Sequence, residues 1–132
     1  MVMIKWMENK HKGRNGSSHD FQVMISIIKN GTSKEGAEKR AVAVRFYHSK
    51  EKEITNTGRL QIGIDEETGR IYFASASGTK GYKLSGSKKN VRVVQFMPDD
   101  LSKWESYVGG YVLQQDLDCK LFYVDISERR LV

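Results

Sequence analysis

The chain has 132 residues, of which 39% are hydrophobic and 29% are charged, and this composition fits one globular domain and excludes a disordered chain. The formal net charge is +6, and the basic excess lies in the first three quarters, because residues 98–132 hold more acidic than basic side chains. This distribution favours a polyanionic partner. A charge that only keeps the protein in solution is an equally weighted alternative.

The cysteine content and the apolar runs of the sequence indicate the cellular compartment of the protein. Cys119 is the only cysteine, which excludes a disulfide within one chain and a cysteine-rich zinc site. The apolar start MVMIKWM is broken by Lys5 and is not followed by a cleavage site, and no apolar run reaches membrane-spanning length. We therefore expect a cytoplasmic protein without a membrane partner.

Residues 1–132 are predicted to form a single domain. Residues 1–7 are expected to be an apolar arm or short strand that docks on the domain or on a second copy, and residues 8–19 a flexible basic loop. Alternating apolar residues then predict strands near residues 21–28, 41–48, 60–64 and 71–77. Between the second and third of these strands, residues 50–58 are charged and turn-like.

The second half adds further strands and a helix. Residues 81–84 and 90–96 supply strand material, and Pro98 with two following aspartates predicts a helix over about 98–108. Leu101, Trp104 and Val108 give that helix one apolar stripe that would pack on the sheet. A C-terminal hairpin or strand follows, although residues 111–117 would equally prolong the helix. The prediction is a β-rich α+β fold with an antiparallel sheet of about five to seven strands, open or barrel-like.

The order of these elements and the segment PDDLSKW are similar in layout to whirly-type domains, a family that binds single-stranded DNA. The hairpin predicted after the helix departs from that layout. The resemblance therefore covers only the strands and the helix.

The stretch from Arg70 to Arg92 carries the strongest functional signal. It contains six Lys or Arg residues, no carboxylate, and aromatic residues interleaved with the charges. Such a surface neutralises phosphates and stacks on exposed bases, so we predict a non-enzymatic protein that binds single-stranded or nonspecific nucleic acid through a basic-aromatic hairpin. The outward residues Arg45, Tyr47 and Arg59 would join it if their strands are neighbours. The full predicted set is Arg45, Tyr47, Arg59, Arg70, Tyr72, Lys80, Tyr82, Lys83, Lys88, Lys89 and Arg92.

Other interpretations of the same residues stay open. The lysines would equally solubilise a loop while the tyrosines pack on the sheet. A second hypothesis is a protein-interaction module, such as a phage-type or mobile-element inhibitor or an oligomeric scaffold, whose basic face meets an acidic protein. Strands that are apolar on both faces favour self-association, so a homo-oligomer is an accompanying prediction.

Catalytic chemistry finds little support in the sequence. The glycine-rich segment GTKGYKLSGSKK lacks the spacing of a phosphate-binding loop, and His11, His19 and His48 belong to no motif. The acidic groups at 65–67 and 116–125 fit solvated turns better than a metal site. No catalytic residue, metal or cofactor is predicted, and a nuclease is kept only as a minor alternative.

Overall fold

Two antiparallel β-sheets form the framework of the part of the chain that the structure describes. The computed structural model describes residues 22–32, 34–77, 81–86 and 90–130, and the predicted arm at 1–7 and the basic loop at 8–19 lie outside them. The described part contains two short α-helices, α1 (Glu51–Ile54) and α2 (Leu101–Glu105), and a 3-10 helix at Ile126–Glu128. Its nine strands are β1 (Val23–Thr32), β2 (Glu38–Phe46), β3 (Arg59–Asp65), β4 (Arg70–Ser75), β5 (Tyr82–Lys83), β6 (Arg92–Phe96), β7 (Gly109–Tyr111), β8 (Gln114–Gln115) and β9 (Phe122–Asp125).

The strands divide into a four-stranded first sheet, in the order β6-β2-β1-β7, and a five-stranded second sheet, in the order β5-β3-β4-β9-β8. Because side chains alternate along a strand, each sheet turns one apolar face inward. In the first sheet, Ile25 pairs with Val44 and both are fully buried. In the second sheet, Ile71 pairs with Val124 in the same way.

The inner faces of the two sheets share one core. Phe46 of the first sheet meets Phe73 of the second edge to face, with ring centroids 5.2 Å apart. The prediction of a β-rich α+β fold is consistent with this architecture, but the single sheet of about five to seven strands and the closed barrel are wrong. Alternation shows that each strand buries one face; it does not show whether a helix or a second sheet covers that face.

Helix α2 packs against β1 and β2 of the first sheet, and it is shorter than the predicted 98–108. The Asp100 side chain accepts a hydrogen bond from the backbone N–H of Lys103 at 3.1 Å, so the helix starts after Pro98 instead of at it. Trp104 is buried against Phe96, with ring centroids 5.0 Å apart. After the helix the chain returns to the first sheet as β7.

The C-terminal region is built from strands. Residues 111–117 contain the end of β7 and the whole of β8, so the helical alternative for this segment is wrong. Strands β8 and β9 pair antiparallel, which confirms the predicted C-terminal hairpin. In the described ranges, no helix has both the length and the apolar character needed to span a membrane.

Candidate nucleic-acid interface

Residues 70–92 do not form one continuous hairpin, although Ser85 makes an antiparallel bridge with Val93, just after the end of this stretch. Strands β4 and β5 both pair with β3, one on each side, while β6 pairs with β2 in the first sheet. A tight crossing makes this possible: Gly81 has φ +77°, and a Cβ on it would lie 2.7 Å from the backbone oxygen of Leu60. The basic stretch is therefore shared between the two sheets.

One surface nevertheless gathers four of the predicted residues. This outer face, the solvent side of the second sheet, is formed by the residues that alternate with the core positions of its strands. Arg59 stands opposite Lys83, and Tyr72 stands opposite Gly63 on one side and Tyr123 on the other. The outer face consists of Lys83, Arg59, Gln61, Gly63, Asp65, Ala74, Tyr72, Arg70, Tyr123 and Asp125, and its two carboxylates lie opposite Arg70.

The aromatic part of the outer face is held by Arg70. Tyr72 and Tyr123 lie with ring centroids 5.6 Å apart, and the Arg70 guanidinium lies 4.1 Å from the Tyr123 centroid. Arg70 Nη1 also donates to Tyr72 Oη at 3.3 Å and to Asp116 Oδ2 at 3.2 Å. The hydrogen bond with Tyr72 raises the pKa of Arg70 above its usual value. This arginine orients the tyrosines and already has an anionic partner.

A shallow groove of about 310 Å³ runs beside Tyr72 on the outer face. Gly63 and Ala74 contribute to it as the smallest residues, and a Cβ on Gly63 would meet no atom within 4 Å. Gln61 and Leu121 also line the groove. A flat ring can therefore approach the sheet here and contact the side chain of Tyr72.

Two cations lie next to the groove lining, because Arg59 precedes Gln61 by two residues on β3 and Lys83 stands opposite Arg59. Arg59 is half-buried and donates to the Gly81 carbonyl at 3.5 Å, while Lys83 beside it is exposed. At the opposite end of the outer face the Arg70 charge faces Asp116 across 3.2 Å. The Arg59 end is thus better suited to hold a phosphate.

The other predicted residues lie elsewhere. On the outside of the first sheet, Arg45 donates to Ser26 Oγ at 3.0 Å and Tyr47 lies near Met24. Tyr82 is 40% exposed and packs on Phe96 at the sheet edge, with ring centroids 5.1 Å apart. Arg92 lies on β6, beside α1. Lys80, Lys88 and Lys89 lie outside the described residues.

Several residues of the outer face and the groove are not in the predicted set, because that set was chosen mainly by positive charge. Tyr123 lies in the apolar run LFYV, and nothing in that run shows that its ring turns outward beside Arg70. Gln61, Ala74 and Leu121 are uncharged, so a prediction based on basic residues does not include them. Gly63 was detectable, since a glycine inside a strand often marks a close approach of another molecule.

Comparison with known proteins gives no relative. No protein-family model matches the chain, and neither a curated protein nor a solved structure does.

Within the described ranges, no group of three or more His, Cys, Asp or Glu side chains is placed to hold a metal ion.

Proposed function

We propose that this protein is a small cytoplasmic, non-enzymatic binder of single-stranded nucleic acid, and that the outer face of its second sheet is the binding surface. The observation that supports this most is the groove beside Tyr72: its lining residue Gln61 lies two residues after Arg59 on β3, and Lys83 stands opposite Arg59. An aromatic ring next to open space offers a stacking position for a base, and the two cations offer a contact for the neighbouring phosphate.

Single strands fit this surface better than duplexes do. The groove is shallow and lies on a sheet, where a base must turn its flat side toward Tyr72, and a duplex keeps those flat sides stacked inside. Stacking on a tyrosine needs no hydrogen bond to a particular base edge. The strand is therefore expected to bind with little dependence on sequence at this position and with strong dependence on salt.

Fluorescence anisotropy with labelled single-stranded DNA, single-stranded RNA and duplex DNA tests the proposal. Each is titrated at about 50 and about 200 mM salt, a range over which proteins with several phosphate contacts lose most of their affinity. The double variant Arg59→Glu, Lys83→Glu is compared with Lys34→Glu, an exposed lysine that precedes β2 of the first sheet. We expect the double variant to lose binding and the control to keep it. Equal binding by both would reject the proposed surface.

A protein-interaction module is the alternative function, and a specific observation favours it. Leu117 is 78% exposed in the connection between β8 and β9, and Leu121 is exposed in the same connection. Exposed leucines beside the outer face are suited to contact a protein or a second copy. Light scattering after size exclusion tests self-association: a dimer that Leu117→Ser converts to a monomer would support this alternative, and a wild-type monomer would weaken it.

A further inference from the structure

A second cavity opens beside helix α1, at the basic end of the outer face. It measures about 230 Å³, and its lining includes Glu51, Thr55, Asn56, Leu84 and Arg92. Glu51 is only 6% exposed, and its Oε1 has no hydrogen-bond partner in the part of the chain that the structure describes. A buried carboxylate oxygen without a partner is rare, because removing it from water costs free energy that only a hydrogen bond returns.

Hydrogen bonds hold the residues around Glu51 in place without a ligand. Thr55 is buried, and its hydroxyl donates to the Arg59 carbonyl at 2.8 Å and lies 2.9 Å from Ser75 Oγ. Ser49, just before α1, bonds Asn90 through both its backbone and its side chain. These contacts tie the two ends of α1 to the second sheet and to the turn before β6, so the cavity has a defined shape.

The chemistry of the lining specifies its ligand. A carboxylate accepts two parallel N–H donors, and a guanine base presents such a pair at N1 and its 2-amino group. Arg92 lines the same cavity and donates through Nη1 to the Val91 carbonyl at 3.0 Å. Arginine is the usual partner of guanine O6 and N7. A guanidinium group also carries paired N–H donors, but Lys52 and Arg92 in the lining disfavour a cation.

We propose that this cavity binds a guanine base, supplied either by a nucleic-acid strand or by a free guanine nucleotide. The strand version rests on the proposed function. Two lining residues, Gly58 and Leu84, directly adjoin the phosphate-binding candidates Arg59 and Lys83 in the chain. A strand that crosses the outer face would thus bring a base to the cavity mouth beside these cations.

Mononucleotide titrations followed by ¹H–¹⁵N NMR test the site. GMP is compared with IMP, which lacks the 2-amino group, and with AMP and CMP. We expect GMP to shift the signals of residues 51–58, 84 and 92. GMP should bind about tenfold more tightly than IMP, because IMP lacks one of the two hydrogen bonds to the carboxylate and one hydrogen bond to a charged group is worth about that factor. Glu51→Gln should remove the preference for GMP over IMP.

Glu53→Gln is the matched control. Glu53 lies on the same helix, is exposed and pairs with Lys50 at 3.0 Å, so its variant should bind GMP as the wild type does. Thermal unfolding of both variants verifies that they fold. Equal affinity for all four nucleotides, or an unchanged preference in Glu51→Gln, would overturn the inference. Tighter binding of arginine amide than of GMP would also overturn it and would assign the cavity to a peptide side chain.

Oligonucleotides with and without one guanine separate this inference from the proposed function. A guanine preference that disappears in Glu51→Gln supports the strand version. Salt-sensitive binding without that preference, together with no binding of GMP, rejects the cavity assignment and leaves the proposed function standing. Binding of GMP that depends on Glu51, without any strand binding, supports the free-nucleotide version and rejects the proposed function.

Discussion

The guanidinium of Arg70 lies over the ring of Tyr123, 4.1 Å from its centroid. Its hydrogen bonds to Tyr72 and Asp116 make it the common partner of three side chains on the second sheet. We expect Arg70→Met to lower the melting temperature by several degrees, since all three contacts are lost while the aliphatic packing remains. Thermal unfolding followed by circular dichroism measures this change. Lys39→Met, a substitution at an exposed lysine, is the control. Equal melting of the two variants would show that Arg70 does not hold this cluster.

Asp116 makes the stability that this cluster provides depend on pH in the acid range. Backbone N–H groups of Asp118 and Cys119, and then the charge of Arg70, hold the pKa of Asp116 below its usual value. A carboxylate with a lowered pKa in the folded state stabilises the protein fully above the usual Asp pKa, and this contribution is lost as pH falls through the folded-state value.

Asp116→Asn should therefore melt at a lower temperature than the wild type at neutral pH. The difference should shrink as pH falls below the usual range for aspartate. Melting curves across the acid range test this, with Asp118→Asn as a control at the same turn. A difference that stays constant with pH would mean that the charge of Asp116 has no part in it.

Tyr111 predicts a loss of stability at alkaline pH. Its hydroxyl donates to the Tyr107 carbonyl at 2.5 Å, and burial raises the pKa of Tyr111 to about 12. Because the folded value exceeds the usual 10.0, the contribution is complete below pH 10 and is lost as pH rises toward 12.

We expect Tyr111→Phe to cost about 0.5–1.5 kcal/mol of unfolding free energy near neutral pH, the usual net contribution of one hydrogen bond. The variant should also lose less stability than the wild type when the pH is raised above the usual tyrosine range. Urea unfolding at the two pH values measures both effects. An identical alkaline loss in the variant would contradict the assignment to Tyr111.

Tyr72 separates stacking from charge at the proposed interface. Tyr72→Ala should weaken single-strand binding by about 1–3 kcal/mol, the range for one base stacked on an aromatic side chain. Tyr72→Phe should bind almost as tightly as the wild type because it keeps the ring. Tyr47→Ala, just after β2 of the first sheet, is the control for losing a tyrosine. A large effect of Tyr72→Phe would indicate that the hydroxyl and its bond to Arg70 matter more than the ring.

The strands of the core were predictable because large apolar side chains recur at every second position along them. Val42, Val44 and Phe46 are fully buried on β2, as their spacing indicates. The partnership of the strands was not predictable in the same way, because the crossing at Gly81 and the pairing of β5 with β3 depend on contacts distant in sequence. A basic stretch that is continuous in the chain is therefore divided in space.

The burial of Glu51 was even less predictable from the sequence. It lies in the run KEKE, where a charged residue is ordinarily solvated, and residues 50–58 therefore predict a turn on the surface. Packing of α1 against β4 buries this one side chain and leaves its neighbours Lys52 and Glu53 exposed. Four residues are too few for a periodic pattern to show which of them turns inward.

The location of the bound strand tests the central claim most directly. A short single-stranded oligonucleotide is titrated into ¹⁵N-labelled protein at low salt, and the shifted backbone signals are mapped. We predict that the largest shifts fall on β3, β4 and β5, around Arg59, Gly63 and Tyr72, and that they fade as salt is added. Shifts confined to the first sheet, or no shifts at all, would contradict the claim that the outer face of the second sheet binds nucleic acid.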